Sequence, residues 1–183
     1  MKCPVCKVHS LEQHLLEENL TALACQRCAG HWVAGAPYWN WLEIGAPDRP
    51  EKPPEEGLAL EVIESGAAKL CPTCGRLLIR YKVGHGTTFH VERCGQCAGM
   101  WFHANEWEIL RSRNLHRHIH LVSSDAWRAA VEADERQAAF EQIMLQKLGP
   151  ADLNEIRRIK SWIDRHPRRD ELYAFLMNQP ATD

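Results

Sequence analysis

The sequence predicts a small, metal-stabilised α+β protein: two four-cysteine units, each a β-hairpin with a short helix, followed by a helical C-terminal module. Three observations predict it. All eight cysteines fall into CxxC pairs, Cys3/Cys6, Cys25/Cys28, Cys71/Cys74 and Cys94/Cys97. The pairs repeat: Cys3-Pro-Val-Cys6 overlays Cys71-Pro-Thr-Cys74 at an offset of 68 residues, and Cys25-Gln-Arg-Cys28-Ala-Gly-His-Trp32 overlays Cys94-Gly-Gln-Cys97-Ala-Gly-Met-Trp101 at 69. From Ser124 onward the cysteines are absent and apolar residues recur at helical spacing.

Length and composition are compatible with this division. The 183 residues are 45% hydrophobic and 25% charged, enough for one medium domain or two to three small ones, and unlike a disordered polymer. The net charge of −2 gives no global attraction to nucleic acid or anionic lipid. No apolar run approaches the roughly 20 residues that span a bilayer. A cleaved leader is not expected either, because Cys3 would lie inside it. The expected compartment is the cytoplasm, where thiols stay reduced and paired CxxC motifs suit a metal knuckle better than a disulfide.

The spacing then specifies each unit. Between the knuckles lie 18 residues in the first copy and 19 in the second, room for two short strands and a turn. In the second copy Arg76 to Val83 and Thr88 to Arg93 are rich in β-branched or aromatic residues and flank Gly84-His85-Gly86, which predicts a hairpin. In the first copy, Leu11 to Leu16 and Leu20 to Ala24 flank Glu17-Glu18-Asn19 and read locally as helix, but the metal spacing overrides that propensity. Four thiolates at about 2.3 Å satisfy Zn²⁺ in a tetrahedron with no open position, so each site is structural. A unit of about 40 residues buries too little apolar surface to fold alone, and the metal supplies much of the difference. The expected ligands are Cys3, Cys6, Cys25 and Cys28 at site 1, and Cys71, Cys74, Cys94 and Cys97 at site 2. Two Zn²⁺ per chain are expected, in preference to iron. Gly75, Gly95, Gly30 and Gly99 lie on or just after knuckles, where positive φ is expected, and Lys7 takes the place of Gly75 in the first copy.

This pattern, CPxC, about eighteen residues, CxxCxGxW and a short helix, resembles the bacterial zinc-ribbon family named after the transcription factor IIB zinc finger. The resemblance covers Cys3 to about Leu42 and Cys71 to about Leu110, and implies zinc binding by the eight cysteines. Glu106 matches an acidic position of the family's helix, where the first copy has Pro37.

Residues 1–44 are thus expected as the first ribbon, 45–69 as a Pro-rich acidic linker, 70–114 as the second ribbon and 115–183 as about three helices. The linker permits the ribbons to act as separate modules. Leu58 to Lys69 reads equally as a short strand or helix. Of the seven tryptophans, Trp32 and Trp101 are expected to cover the metal sites, while Trp39, Trp41 and Trp107 are candidates for helix packing or partner binding. Arg111 to His120 carries three arginines and three alternating histidines. It invites a phosphate contact through Arg111, Arg113 and Arg117, or a further metal site at His116, His118 and His120, against the plainer reading of a solvated segment. Ser123 or Ser124 caps a helix running to Leu148, Gly149-Pro150 ends it, and two further helices follow, the last after His166-Pro167.

No phosphate-binding glycine loop, HExxH, nucleophile elbow or lone cysteine is found. The expectation is a non-enzymatic zinc-binding adaptor for a protein partner, without membrane contact and compatible with homo-oligomerisation. The alternative is a nucleic-acid-binding or transcription-associated ribbon protein.

Overall fold

The computed structural model describes residues 1–7, 9–44 and 60–178. They form two compact units, Met1–Glu132 and Ala133–Asp183.

The first unit is built on one antiparallel sheet of six strands. The first copy contributes β1 (Glu12–Glu17), β2 (Leu20–Ala24) and β3 (His31–Val33), and the second β4 (Ile79–Lys82), β5 (His90–Arg93) and β6 (Met100–Phe102). Their order is β1-β2-β3-β6-β5-β4, so each ribbon is a three-stranded half and the halves join at β3 and β6. The register at this seam is His31 opposite Phe102, Trp32 opposite Trp101 and Val33 opposite Met100. The ribbons are therefore not separate modules, as the linker suggested, because the third strand of each has its only free edge satisfied by the other. Residues 45–59, most of the expected linker, lie outside the described residues. Leu60 to Lys69 is neither strand nor helix. It is held to the second ribbon instead, where Glu64 accepts from the His90 backbone N–H at 2.7 Å and pairs with Arg80 at 2.8 Å.

Both hairpins form where expected. The helical reading of Leu11 to Ala24 loses to β1 and β2, whose register shifts between Leu15 and Glu17 before Asn19 turns at positive φ. In the second copy Gly84, His85 and Gly86 all have positive φ. Gly84 is required twice over, since a Cβ there would lie 2.4 Å from Val131 Cγ2.

Strand alternation divides the core into two layers. On one face Trp32 and Trp101 pack with Cys3, Cys25, Cys71, Cys94, Leu11 and Leu78. On the other, Val33, Met100 and Phe102 meet α1 (Gly35–Glu43) and α2 (Glu106–Ser112) through Tyr38, Trp41, Trp107 and Leu110. The same layer contains Ile119 and Val122 from a 3-10 helix (Ile119–Ser123), and Trp127 and Val131 from the start of α3 (Asp125–Asp164). The ribbon unit thus extends well past residue 114, where its boundary was expected, because these four side chains complete its apolar face. Ser124 Oγ caps α3 by accepting from the Trp127 backbone N–H at 3.2 Å, and Trp127 Nε1 donates to the Val83 carbonyl at 2.9 Å.

In the second unit α3 continues to Asp164 with a non-helical Gly149 (φ 78°, ψ 167°) just before Pro150, so it is two helices as the Gly-Pro pair predicts. The third, α4, is Arg169–Met177. Of the apolar residues that recur at helical spacing here, Leu153 and Ile163 are buried, while Phe140, Ile143, Leu148, Ile156 and Ile159 are exposed. The basic residues are largely paired, with Arg157 on Glu141, Arg158 on Glu155 and Lys160 on Asp164 at 2.6–2.9 Å.

Candidate metal centres

Each CxxC turn is closed by a backbone hydrogen bond from the residue after the second cysteine to the carbonyl of the first: Lys7 to Cys3, Ala29 to Cys25, Gly75 to Cys71 and Ala98 to Cys94, at 2.8–3.0 Å. Those four donors are also the knuckle residues with positive φ. Only one is glycine, which corrects the expectation for Gly95, Gly30 and Gly99. The left-handed step falls immediately after the second cysteine, and three non-glycine residues adopt it there. In the first turn of each copy, the N–H of the second cysteine also points at the sulfur of the first, Cys6 to Cys3 Sγ at 3.3 Å and Cys74 to Cys71 Sγ at 3.4 Å.

Gly30 and Gly99 serve another purpose. A Cβ on Gly30 would lie 2.3 Å from Trp101 Cζ2, and one on Gly99 would lie 2.3 Å from Trp32 Cζ2. Each ribbon's tryptophan therefore lies against the second knuckle of the other ribbon, and both pack in one layer with the cysteines, as expected of residues that cover the metal sites. The repeat showed the glycines but not that the contact is exchanged, because exchange depends on β3 pairing with β6.

The hairpins bring the four cysteines of each copy together, with all ligand atoms of a group within 4.8 Å of one another. At site 1 the Cys3 and Cys28 sulfurs are 3.7 Å apart and those of Cys6 and Cys25 are 3.9 Å apart. At site 2 the Cys71–Cys97 separation is 3.5 Å and the Cys74–Cys94 separation 3.4 Å. Four sulfurs at about 2.3 Å from one zinc stand about 3.8 Å apart, whereas a disulfide would bring two to about 2.05 Å. The cysteines are free of disulfides, so the sets fit two zinc ions. Zinc would cross-link the two knuckles of each copy and offer no open position for a substrate.

The thiols are poised unequally. Burial raises Cys25, but the N–H groups of Cys28 and Arg27 and the neighbouring thiols outweigh it and bring it down to about 7; Cys94 reaches about 7 in the same way through Cys97 and Gln96. Burial holds Cys3, Cys28, Cys71 and Cys97 above the ordinary thiol value. Crowded thiolates repel one another, and a dication removes that repulsion, so metal binding releases protons.

The second ribbon carries a buried polar cluster that the first lacks. Lys69 pairs with Glu92 at 2.7 Å, both about 3% exposed. Burial pushes Glu92 up, against the pull of Lys69. Glu106, fully buried, accepts from the His103 backbone N–H at 2.8 Å, and burial raises it to about 9. The corresponding residues of the first copy are Met1, Leu23, Ala34 and Pro37. Sequence reasoning singled out only Glu106 among these four.

Of the other candidates, Trp41 and Trp107 are 2% exposed, with rings 6.1 Å apart, so they belong to the core and offer no surface to a partner. Trp39 is 42% exposed and its ring lies 4.7 Å from that of His120. Arg111 is exposed and pairs with Glu17 at 3.4 Å, Arg113 donates to the His85 carbonyl at 3.3 Å, and Arg117 is half-buried. His116 sits 5.8 and 5.9 Å from the rings of Trp41 and Trp107, and burial lowers it to about 4. His120 is placed beside the Tyr38 hydroxyl at 3.5 Å, and His118 beside the Asn114 carbonyl at 3.4 Å. Among the described residues only the two cysteine groups gather three or more metal-ligating side chains, so the three histidines do not form a further site. Among them, too, no helix is long and apolar enough to cross a membrane.

The family model described as Transcription factor zinc-finger, a transcription factor IIB-type zinc ribbon, matches residues 70–113, the second copy. No curated protein and no solved structure matches the chain.

Proposed function

We propose that the protein is a non-enzymatic cytoplasmic adaptor, in which the zinc-stapled double ribbon is a rigid base and the helical unit presents apolar side chains to a protein partner. The observation that carries this reading is the exposure of large apolar side chains in the helical unit: Trp162 is 55% exposed, Phe175 79%, Leu176 54% and Met177 84%. Exposed large apolar groups, where they adjoin one another, mark interaction surfaces, and Phe175, Leu176 and Met177 are consecutive in the chain. The tetrathiolate sites support a structural role for the metal, since a saturated tetrahedron leaves no position for a reacting group.

A second reading, nucleic-acid binding, draws on the description of the matched family and on the exposed Arg111 and Arg113. The two readings separate in one experiment. The full zinc-loaded chain is used to recover partners from native lysate with and without nuclease, beside a Phe175→Ser, Met177→Ser double variant. The adaptor reading expects a protein that survives nuclease and is lost from the variant. Recovery of nucleic acid, with a salt slope reduced by Arg111→Ala, Arg113→Ala and Arg117→Ala, would replace it with the second reading.

A further inference from the structure

The two seam tryptophans are alike in position and unlike in hydrogen bonding. Trp32 Nε1 donates to Thr73 Oγ1, in the first knuckle of the opposite ribbon, at 3.1 Å. By the repeat, the matching acceptor for Trp101 would come from residue 5, and residue 5 is valine. Trp101 is fully buried and its Nε1 has no acceptor among the described residues. Leaving a buried N–H unpaired costs about 1–3 kcal/mol.

At this place the seam contains a small pocket of about 40 Å³, lined by Val5, Gly30, Ser65, Trp101 and His103 and open to solvent past the exposed Ile63. His103 is 5% exposed, and its Nε2 also has no partner: the nearest carboxylate oxygen, Glu92 Oε2, is 3.6 Å away, beyond a hydrogen bond. Two residues that line this pocket each carry an unpaired buried polar atom, and Ser65 adds a third polar group to its wall; a bound water needs about 10–15 Å³ and two to four partners. The size excludes an organic ligand, whose pockets begin at about 300 Å³. An anion is disfavoured because the buried cation nearby, Lys69, is already held by Glu92 and two carbonyls.

We propose that this pocket is a built water site, in which one water accepts from Trp101 Nε1 and bonds His103 Nε2, replacing the hydroxyl that Thr73 supplies in the other half. The two halves of the seam are then closed differently, one directly by a side chain and one through solvent.

The test is nuclear magnetic resonance on the full zinc-loaded chain, reading cross-peaks between water and the assigned indole N–H protons. A long-lived water is expected at Trp101 and none at Trp32. Val5→Thr recreates the Cys-Pro-Thr-Cys knuckle of the second copy and should abolish the Trp101 cross-peak, while Thr73→Val should leave Trp32 without one, because Ala34 stands where the other half has His103 and a water there would lack a second partner. Two zinc ions per chain establish that each variant is folded. Absence of a water cross-peak at Trp101 in the parent chain overturns the proposal whatever the variants do, and so does its persistence in a folded Val5→Thr chain.

Discussion

Trp32 and Trp101 stand opposite one another in the register of β3 and β6, and each ring lies on the glycine two residues before the other. This exchange couples the two ribbons: the second knuckle of each is packed against the tryptophan of the other. The metal-ligating cysteines, the paired strands and the two indole rings thereby share one packed layer.

Adding a methyl group at either glycine should force the opposite ring out of place. Gly30→Ala and Gly99→Ala are each expected to destabilise the ribbon unit by about 1–3 kcal/mol, since a Cβ at 2.3 Å from a buried tryptophan ring cannot be accommodated by a flexible chain end. Gly95→Ala serves as the control, because its nearest neighbour would be Ile79 Cδ1 at 4.0 Å. Thermal melts of the three zinc-loaded variants check this, and equal shifts for all three would contradict it.

Loss of one site should weaken the other. Cys25→Ser removes a ligand of site 1, and the shared layer of Cys3, Cys25, Trp32, Cys71, Cys94 and Trp101 then loosens on both sides. We expect zinc at site 2 to be withdrawn by a chelator at roughly tenfold lower concentration than in the parent chain, about 1.4 kcal/mol. Chelator titration with a count of zinc retained measures it. An unchanged midpoint for the remaining ion would show independent sites.

The buried carboxyl of Glu106 gives a pH dependence with a definite sign. Burial raises it to about 9 in the folded protein, while in the unfolded chain it titrates near about 4.3. Between those values the folded state holds a proton that the unfolded state has released, so this group's contribution falls as pH rises and levels off above about 9. Glu106→Gln retains an acceptor for the His103 N–H and removes the titration. Denaturation at pH 6, 7.5 and 9 should show the variant gaining on the parent at each step; parallel curves would count against a protonated Glu106. This range avoids acid loss of metal.

Trp39 and Trp107 should part company under alanine substitution. Trp107→Ala empties a site in the centre of the helix-side layer and should cost about 3–5 kcal/mol, whereas Trp39→Ala, at a 42% exposed position, should cost about 1 kcal/mol or less. Chemical denaturation compares them directly.

The metal sites were fully legible in the amino-acid order, because ligand chemistry is local: four CxxC pairs at two repeated spacings admit few arrangements around a tetrahedral ion, and that constraint also overruled the helical look of Leu11 to Ala24. The hairpin turn at Gly84, the cap at Ser124 and the break at Gly149 were legible for the same reason, each resting on a residue's own backbone preference. What needed the tertiary structure were relationships between distant segments. Nothing local in His31-Trp32-Val33 says that it pairs with Met100-Trp101-Phe102, that Gly30 is there for a ring 71 residues away, or that Lys69 and Glu92 are buried together. Nor does periodicity say which apolar faces find cover: Trp41 and Trp107 do and Phe175 does not, because burial belongs to the pairing of two surfaces and only one of them is written in any stretch of chain.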